Sequence, residues 1–301
     1  MKALIMGAGA IGSLMGGFLA KAGAEVVLVG RRAHVEAVRS RGLRVEGPLG
    51  SFTVKVDAHE KPEEAKGDFD LVLITVKAYD TAEAAKQVKR LVEKQAVPLC
   101  LQNGLGVEEE ASRVLGTVVF RGVTNNGAML AQPGTVHHTG VGETLIGGRG
   151  VLMEKLVTML NASGLPARKV DNIAEVVWIK TLVNAGINPL GAITGLRNGE
   201  LLEVGWLRSL MKAVVEEGAN IAKKMGVELG IDPVELTFKV AKDTANNKNS
   251  MLQDLERKKR TEVDYINGAI VKAAQQVGME APLNEALTKL VKAMEGVRWR
   301  N

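Results

Sequence analysis

The spacing of apolar and polar positions divides the chain into two halves of different character. In the first half, short apolar runs alternate with helical patterns. The alternation predicts strands at residues 2–6, 25–29, 70–76, 97–101 and 117–122, and helices at 10–22, 32–41, 81–93, 107–115 and 151–163. The run DLVLITV at 70–76 is apolar throughout its interior, as expected of a strand buried on both faces. This order predicts a parallel, doubly wound α/β sheet.

The pattern changes in the middle of the chain and again near residue 170. Short β-like runs at 126–130, 134–138 and 143–146 predict antiparallel strands that close the sheet edge. From residue 172 onward no strand is predicted, and helical patterns occupy 173–187, 200–225, 233–246, 251–260, 261–277 and 284–295. Pro189 is expected to end the first of these helices. We therefore predict a domain of residues 1–168 and an all-helical domain of residues 169–301.

Composition narrows the class of protein. With 301 residues and 46% apolar residues, the chain can bury two cores. Its net charge of +5 comes from Lys and Arg interleaved with Glu, without the clustering of a nucleic-acid site, although it suits anionic small ligands. A single cysteine excludes internal disulfides and thiolate metal sites, and we expect no metal. Since no unbroken apolar stretch reaches about 20 residues, we expect a cytoplasmic protein without membrane contact.

The first predicted strand leads into a glycine motif. The residues are Gly7, Ala8, Gly9, Ala10, Ile11 and Gly12, which match GxGxxG between a strand and an amphipathic helix. That context is typical of the Rossmann-type turn, in which helix N–H groups face the pyrophosphate of a dinucleotide. The alternative is a glycine-rich turn without a ligand.

The end of the second strand bears on the choice of cofactor. An NAD site usually has a carboxylate there, whereas this strand is followed by Arg31 and Arg32. Because guanidinium groups bind a 2′-phosphate by charge and by paired hydrogen bonds, we predict NADP. The alternative is that one arginine stacks on the adenine, so that NADH also binds.

Two further loops follow strands of the predicted sheet. Lys77 follows the strand at 70–76, and Asn103 follows the strand that ends at residue 101. Ligands of such sheets bind at the carboxyl ends of the strands, so both side chains are candidates for contact with cofactor or substrate. Asn103 also precedes a glycine, which is common in ordinary turns.

Polar residues recur at helical spacing in the second half. Lys180, Asn184 and Asn188 lie one turn apart on nearly one helix face, among apolar neighbours. They form either a functional stripe or a solvated face. Ser250 and Glu262 each lie where a helix is predicted to begin; the alternatives are a helix cap for Ser250 and a surface carboxylate for Glu262.

Five motifs together resemble the ketopantoate reductase family. They are GAGAIG at 7–12, LQNG at 101–104, WIKTLVNAGINPLGAITG at 178–195, NSMLQD at 249–254 and TEVDYING at 261–268. The resemblance implies an all-α second domain like the C-terminal domain of 6-phosphogluconate dehydrogenase. It also implies NADPH-dependent reduction of 2-dehydropantoate to (R)-pantoate, on the pathway to pantothenate and coenzyme A.

The resemblance also implies roles for individual residues. Lys180 falls on the catalytic lysine and proton donor, and Glu262 on an acidic residue of the catalytic site that also contacts the cofactor. The implied substrate-binding residues are Asn103, Asn184, Asn188 and Ser250. The implied cofactor-binding residues are Gly7, Ala8, Gly9, Ala10, Ile11, Gly12, Arg31, Lys77, Asn103 and Glu262. Because these residues come from both predicted domains, we expect the site in a cleft between them.

Other interpretations stay open at this point. The chain could be another 2-keto acid or β-hydroxyacid reductase, a glycerol-phosphate dehydrogenase of the same plan, or a non-catalytic cofactor sensor. Coenzyme A is a candidate feedback inhibitor in the dinucleotide site, with its thiol near Cys100. The alternative for Cys100 is a small core residue. The helical half suggests a homodimer.

Overall fold

The structure is a computed structural model in which residues 1–298 are described. They form two compact units. The first comprises Met1–Gln102 and Val107–Ile173, and the second comprises Asn103–Gly106 and the chain from Ala174 onward. Residues 299–301, at the end of the predicted helical domain, lie outside the described residues.

The first unit alternates strands with helices. Its strands are β1 (Lys2–Met6), β2 (Glu25–Val29), β3 (Leu43–Glu46), β4 (Phe52–Val54), β5 (Asp57–His59), β6 (Leu71–Ile74), β7 (Val97–Cys100), β8 (Phe120–Thr124), β9 (Gly127–Gln132), β10 (Thr135–Gly140), β11 (Thr144–Gly147) and β12 (Ala167–Val170). Its helices are α1 (Ala10–Lys21), α2 (Arg32–Arg41), α3 (Thr81–Glu93), α4 (Val107–Leu115) and α5 (Val151–Ser163). The predicted domain boundary between residues 168 and 169 falls inside β12, whereas the compact units separate after Ile173.

The main sheet has eight strands in the order β12-β11-β8-β7-β6-β1-β2-β5. Neighbouring strands are parallel, except that β11 runs antiparallel to β8. The chain passes outward from β1 through β2 to β5 and then returns to the other side of β1 at β6. The doubly wound α/β sheet is thus confirmed, and its strand order reverses between β1 and β6, where sheets of this kind bind ligands.

A second, four-stranded sheet corrects the prediction for the middle of the chain. Strands β9 and β10 were expected to close the main sheet, but they pair with β3 and β4 in the order β4-β3-β10-β9. Only β11 joins the main sheet, and β12, which was not predicted, forms the outer edge beside it. Alternation along a strand indicates which face is buried but not which strand is its partner, and β3 and β4 are too short to show a period.

Helix α1 packs between the two sheets. A Cβ built on Gly16 would lie 2.7 Å from Leu28 of the main sheet, and one on Gly17 would lie 2.7 Å from Val45 of the small sheet. The two adjacent glycines therefore let the helix backbone approach both sheets. Most of α1 is buried as a consequence, with Phe18 and Leu19 fully inside the core of the first unit.

In the second unit the described chain from Ala174 onward forms helices joined by turns, without a strand, which confirms the all-helical prediction for residues 174–298. Its helices are α6 (Ile173–Thr194), α7 (Glu200–Glu203), α8 (Gly205–Lys224), α9 (Pro233–Asp243), α10 (Ser250–Glu256), α11 (Asn267–Gln276) and α12 (Pro282–Arg298). Among the described residues, α6 is long and apolar enough to cross a membrane, but 72% of its most apolar window is buried in the protein. It is the core helix of this unit.

Several helix boundaries differ from the predicted ones; the helix predicted at 200–225, for example, is divided into α7 and α8. Pro189 does not end α6, which continues to Thr194. The helix predicted from residue 261 begins only at Asn267, because the segment before it forms a 3-10 turn at Val263–Tyr265. Local sequence cannot show either difference, since both depend on contacts with distant residues.

His34 joins three parts of the first unit. Its Nδ1 accepts a hydrogen bond from the backbone N–H of Gly134 in the β9–β10 turn (3.1 Å). Its Nε2 therefore carries the proton and donates to the Ser13 hydroxyl on α1 (3.1 Å). The residue is 6% exposed, and burial lowers the pKa of His34 below its ordinary value. Protonation would remove the acceptor that the Gly134 N–H uses.

We predict that the protein loses stability as pH falls below about 6.5. The unfolded chain binds a proton on His34 near that pH, whereas the native state binds it only at lower pH, so acid favours unfolding. Buried His138 has a lowered pKa for the same reason and acts in the same direction. Urea unfolding at a series of pH values measures this loss of stability.

Two variants separate titration from packing in this experiment. His34→Gln should flatten the dependence of the free energy of unfolding on pH, although it lowers stability at neutral pH. Ser13→Ala loses the same hydroxyl contact but keeps the titrating ring, so it should keep the dependence. An equal slope in His34→Gln and the unaltered protein would contradict the assignment.

Candidate functional site

A tight turn joins β1 to α1 at the point where the strand order reverses. The backbone N–H groups of Gly7 and Ala8 both donate to the carbonyl of Val29 at the end of β2 (3.1 and 2.7 Å). Gly7 has a φ of +107°, a conformation that disfavours side chains. The Thr75 hydroxyl, just after β6, donates to the Gly7 carbonyl (2.8 Å). The ends of three strands are thereby tied around the turn.

The glycines of this turn have different surroundings. A Cβ on Gly7 would lie 2.6 Å from the backbone nitrogen of Val76, and one on Gly12 would lie 2.5 Å from Thr75 Oγ1. A Cβ on Gly9 would meet only the Gly7 carbonyl, at 4.0 Å, so the space beside Gly9 is open. Gly9 caps α1 without a side chain. The uncapped N–H groups of Ala10, Ile11 and Gly12 fit an anion such as a pyrophosphate.

The two arginines after β2 differ in their contacts. Arg32 forms an ion pair with Glu36 one turn later (Nε–Oε1 2.7 Å), and this hydrogen bond raises the pKa of Arg32. Arg31 is exposed and caps α2 through its backbone carbonyl. Within residues 1–298 the Arg31 side chain forms no ion pair or side-chain hydrogen bond. Arg31 is therefore the arginine that an anion at the end of β2 can reach without breaking an existing pair.

Lys77 lies at the same edge of the main sheet. It follows β6 and precedes a 3-10 turn at Ala78–Asp80, and its residue is partly buried. Its carbonyl accepts the N–H of Asp80 (2.9 Å), which fixes the backbone at this position. Lys77 is thus at the carboxyl end of a strand next to β1, as the strand pattern predicts.

Cys100 is buried in the last position of β7. It is 0% exposed, and burial raises the pKa of its thiol to about 12, an effect that the nearby Arg121 charge only partly opposes. A protonated, inaccessible thiol cannot react with a thiol-bearing ligand. The hypothesis that Cys100 meets the thiol of coenzyme A is therefore wrong, and Cys100 is a small core residue.

In the second unit, the polar stripe (Lys180, Asn184 and Asn188) lies on a largely buried helix. Asn188 is only 5% exposed, and Lys180 and Asn184 are partly buried. The apolar residues between them, including Leu182 and Ile187, belong to the core. The alternative of a freely solvated face does not fit this burial. Polar groups held in such surroundings require partners, from the protein or from a ligand.

Glu262 is also buried, at 6% exposure, and it caps the 3-10 turn at Val263–Tyr265. Asn103 reaches it from the loop after β7, with Nδ2 donating to Glu262 Oε2 at 3.4 Å. The same loop is held by the N–H of Leu105, which donates to the Tyr265 carbonyl (2.9 Å). Glu262 is therefore not a surface carboxylate, and Asn103 belongs by its contacts to the second unit.

Ser250 begins α10 but does not cap it. The cap is Asn249, whose Oδ1 accepts the N–H of Leu252 (3.0 Å). The alternative role of Ser250 as a cap is therefore wrong, and its exposed hydroxyl has no hydrogen bond within residues 1–298.

The sequence interpretation missed several buried asparagines, among them Asn249 and Asn198, which have unpaired side-chain atoms. Asn249 is 8% exposed, and its Nδ2 lies without a hydrogen-bond partner among the described residues, beside Gly191 of α6. Asn198 is 7% exposed; its Nδ2 donates to Thr244 Oγ1 (2.9 Å), but its Oδ1 has no such partner in the described part. Both resemble ordinary turn residues in sequence, and only their burial distinguishes them.

The predicted residues divide between the two units. The first unit contains the candidate cofactor residues of the glycine turn, together with Arg31 and Lys77. The second unit contains the candidate catalytic and substrate residues: Lys180, Glu262, Asn103, Asn184, Asn188 and Ser250. The structure brings Asn103 and Glu262 into contact and places Ser250 next to Asn249 beside α6.

Comparison with known proteins covers nearly the whole chain. The family model described as ketopantoate reductase PanE/ApbA matches residues 3–150, and its C-terminal counterpart matches residues 172–295. The 2-dehydropantoate 2-reductase of Pyrococcus horikoshii is 44% identical, with 99% of this chain and 98% of the relative covered. That of Archaeoglobus fulgidus is 42% identical, with 97% of each covered.

Solved structures show the same fold. A PanE/ApbA family ketopantoate reductase from Ralstonia eutropha JMP134 is 36% identical and has a TM-score of 0.94, covering 99% of this chain and 100% of that one. D-mandelate dehydrogenase, solved with NADH and anilino(oxo)acetate, is 29% identical with a TM-score of 0.90, covering 99% of each chain.

Proposed function

Because the chain belongs to the ketopantoate reductase family, we propose that it reduces 2-dehydropantoate to (R)-pantoate with NADPH, for pantothenate and coenzyme A biosynthesis. The family is NAD(P)-dependent. The observation that supports the proposal most directly is the polar stripe, a lysine and two asparagines on a buried helix in the motif that the resemblance identifies. The first unit binds the dinucleotide in this proposal, and the second unit supplies the residues that act on the substrate.

The first unit has the groups that NADPH requires. The open space at Gly9 and the uncapped start of α1 accept the pyrophosphate, with Ala8, Ala10 and Ile11 in the surrounding backbone. Arg31 binds the 2′-phosphate by charge. When bound, NADPH supplies the hydride that the ketone carbon receives.

The second unit controls the substrate and its proton. The ammonium group of Lys180 stabilises the negative charge that develops on the ketone oxygen and donates a proton to it. Glu262, with its negative charge, favours the protonated form of Lys180 or orients the 4-hydroxyl group of the substrate. The amides of Asn103, Asn184 and Asn188, with the Ser250 hydroxyl, hold the carboxylate and hydroxyl groups in place.

A second candidate function follows from one comparison. The similarity to D-mandelate dehydrogenase, solved with NADH, favours a 2-keto acid reductase that accepts NADH and a larger side chain. Turnover with phenylglyoxylate above that with 2-dehydropantoate would favour this candidate.

Cytoplasmic location and a homodimer are also proposals. The interleaved charges of the chain support the first. Exposed apolar side chains of the second unit support the second; among the described residues they include Trp206, which is 87% exposed.

We predict that the purified protein oxidises NADPH when 2-dehydropantoate is added, as measured by the loss of NADPH absorbance. Lys180→Ala should lower kcat by about 10²- to 10⁴-fold, because it removes both the proton donor and the charge that stabilises the oxygen. The Kd of NADPH should stay unchanged. Lys212→Ala, which removes an exposed lysine paired with Glu216, is the matched control. No oxidation with 2-dehydropantoate, or full turnover by Lys180→Ala, would refute the proposal.

A second prediction concerns cofactor choice. Arg31→Ala should raise the KM for NADPH by about 10- to 100-fold, the effect of losing a hydrogen-bonded charge pair of about 1.5–3 kcal/mol. The KM for NADH should change little. Arg32→Ala should change the KM for NADPH and the KM for NADH only slightly, because Arg32 already pairs with Glu36. If Arg31 instead stacks on the adenine, Arg31→Ala would weaken both cofactors equally.

We also propose that coenzyme A inhibits by occupying the dinucleotide site, since its adenine and diphosphate resemble those of the cofactor. Because Cys100 is buried and protonated, inhibition should be reversible on dilution and should persist in Cys100→Ser. Initial rates should show competition with NADPH. Indifference of the rate to coenzyme A, or an adduct on Cys100 detected by mass spectrometry, would contradict this proposal.

A further inference from the structure

Pro189 leaves the carbonyl of Ala185, in the middle of α6, without its usual backbone hydrogen-bond donor. Proline has no N–H, so the hydrogen bond that residue 189 would donate to the carbonyl of Ala185 cannot form. Ala185 is 0% exposed, so water cannot take the place of this donor. A buried carbonyl without a donor is costly, and another group must supply one if α6 is to continue beyond the proline.

The side chain of Asn267 supplies that donor. Its Nδ2 donates to the Ala185 carbonyl (3.2 Å) and to Oδ1 of Asn284 (3.0 Å). The orientation of the Asn267 amide follows from the chemistry, because its opposite orientation would place Oδ1 against the Ala185 carbonyl. Asn267 is 0% exposed, so these two hydrogen bonds take the place of hydrogen bonds to water.

Asn284 extends the contact to two further helices. Its Nδ2 donates to Glu217 Oε1 (2.8 Å) and to the Val214 carbonyl (3.2 Å), both on α8. These two acceptors direct its Oδ1 toward Asn267. Glu217 also accepts the backbone N–H of Asn284 and that of Leu283 (2.9 and 3.0 Å), in the first turn of α12. The carbonyl released by Pro189 is thus held in a buried network that joins α6, α8, α11 and α12.

The two ends of the Asn267 contact adjoin the proposed catalytic groups. Ala185 is the residue after Asn184 of the polar stripe, one turn beyond Lys180 on α6. Asn267 closes the segment that begins with Glu262, and this segment is a tight turn rather than a flexible loop. A hydrogen bond between Asn267 and Ala185 therefore links the helix of Lys180 to the turn of Glu262.

We propose that Asn267 is a positioning residue, which sets Lys180 and Asn184 relative to Glu262 by occupying the carbonyl that Pro189 leaves open. The expected effect of Asn267 on turnover rests on the proposed function. Asn267 touches neither substrate nor cofactor in this proposal. Pro189 is required for this arrangement, because any other residue at position 189 would donate its backbone N–H to the Ala185 carbonyl within α6.

The test is a cycle of Asn267→Ala, Pro189→Ala and the double variant. Asn267→Ala alone should lower kcat at least tenfold and shift the pH profile of kcat, since the Glu262 charge then acts on Lys180 from an altered distance. The Kd of NADPH should not change. Pro189→Ala should also lower kcat, because the N–H of the new alanine then binds the Ala185 carbonyl and releases Asn267. In the double variant this contact is already lost, so kcat should lie within threefold of that of Pro189→Ala.

Asp232→Ala is the matched control for stability. Asp232 caps α9 in the same unit by accepting the backbone N–H groups of Val234 and Glu235, and among the described residues its side chain makes no hydrogen bond to Asn267, Asn284 or Ala185. We expect it to lower the unfolding midpoint without a shift in the pH profile. If Asn267→Ala behaves like this control, Asn267 has only a structural role and the proposal is overturned.

Unfolding without substrate provides a readout independent of turnover. Asn267→Ala should destabilise the protein less in the Pro189→Ala background than in the unaltered one, because one of its two hydrogen bonds is then replaced. An Asn267→Ala variant that folds only when Pro189 is also replaced would support the proposal. Equal destabilisation in both backgrounds, or failure of both to fold, would overturn it. If 2-dehydropantoate is not a substrate but this coupling is present, only the proposed function fails.

Discussion

The first unit depends on how closely α1 approaches the backbone around it. Gly12 lies against the Gly7 turn, Gly16 against the main sheet and Gly17 against the small sheet, and a Cβ at any of the three would overlap a neighbour. Packing and binding are therefore coupled, because the start of α1 is the proposed anion site. A side chain on any of these contact faces would displace the helix and with it the N–H groups that face the ligand.

The second unit depends on a different constraint, the satisfaction of polar groups inside an apolar core. Helix α6 carries the polar stripe and the carbonyl left open by Pro189 into that core. The segment from Thr261 to Gly268 meets part of this need, because the Asn267 amide donates to the open Ala185 carbonyl. The segment that resembles a catalytic motif therefore also has a structural role.

Much of this architecture is predictable from sequence where the pattern is long or chemically specific. The strand before Gly7 and the helix after it were predicted because a short apolar run, a glycine motif and an amphipathic helical pattern follow one another there. Strands β3 and β4 were missed, since three or four residues show no period. The alternative role of Ser250 as a cap was wrong because adjacent Asn249 is equally suited to it, and only the hydrogen bond to Leu252 distinguishes them.

The sequence by itself determined the alternation of the main strands and helices, the all-helical second half, the glycine turn and the family, because each depends on local spacing or on residue types that one chemistry requires. Only the tertiary structure decided which strands pair in the small sheet, that Asn103 contacts Glu262, that Cys100 is inaccessible and that α6 passes through Pro189. These outcomes depend on contacts between residues far apart in the chain. Local propensity carries no information about such partners, and burial determines which polar groups must find one.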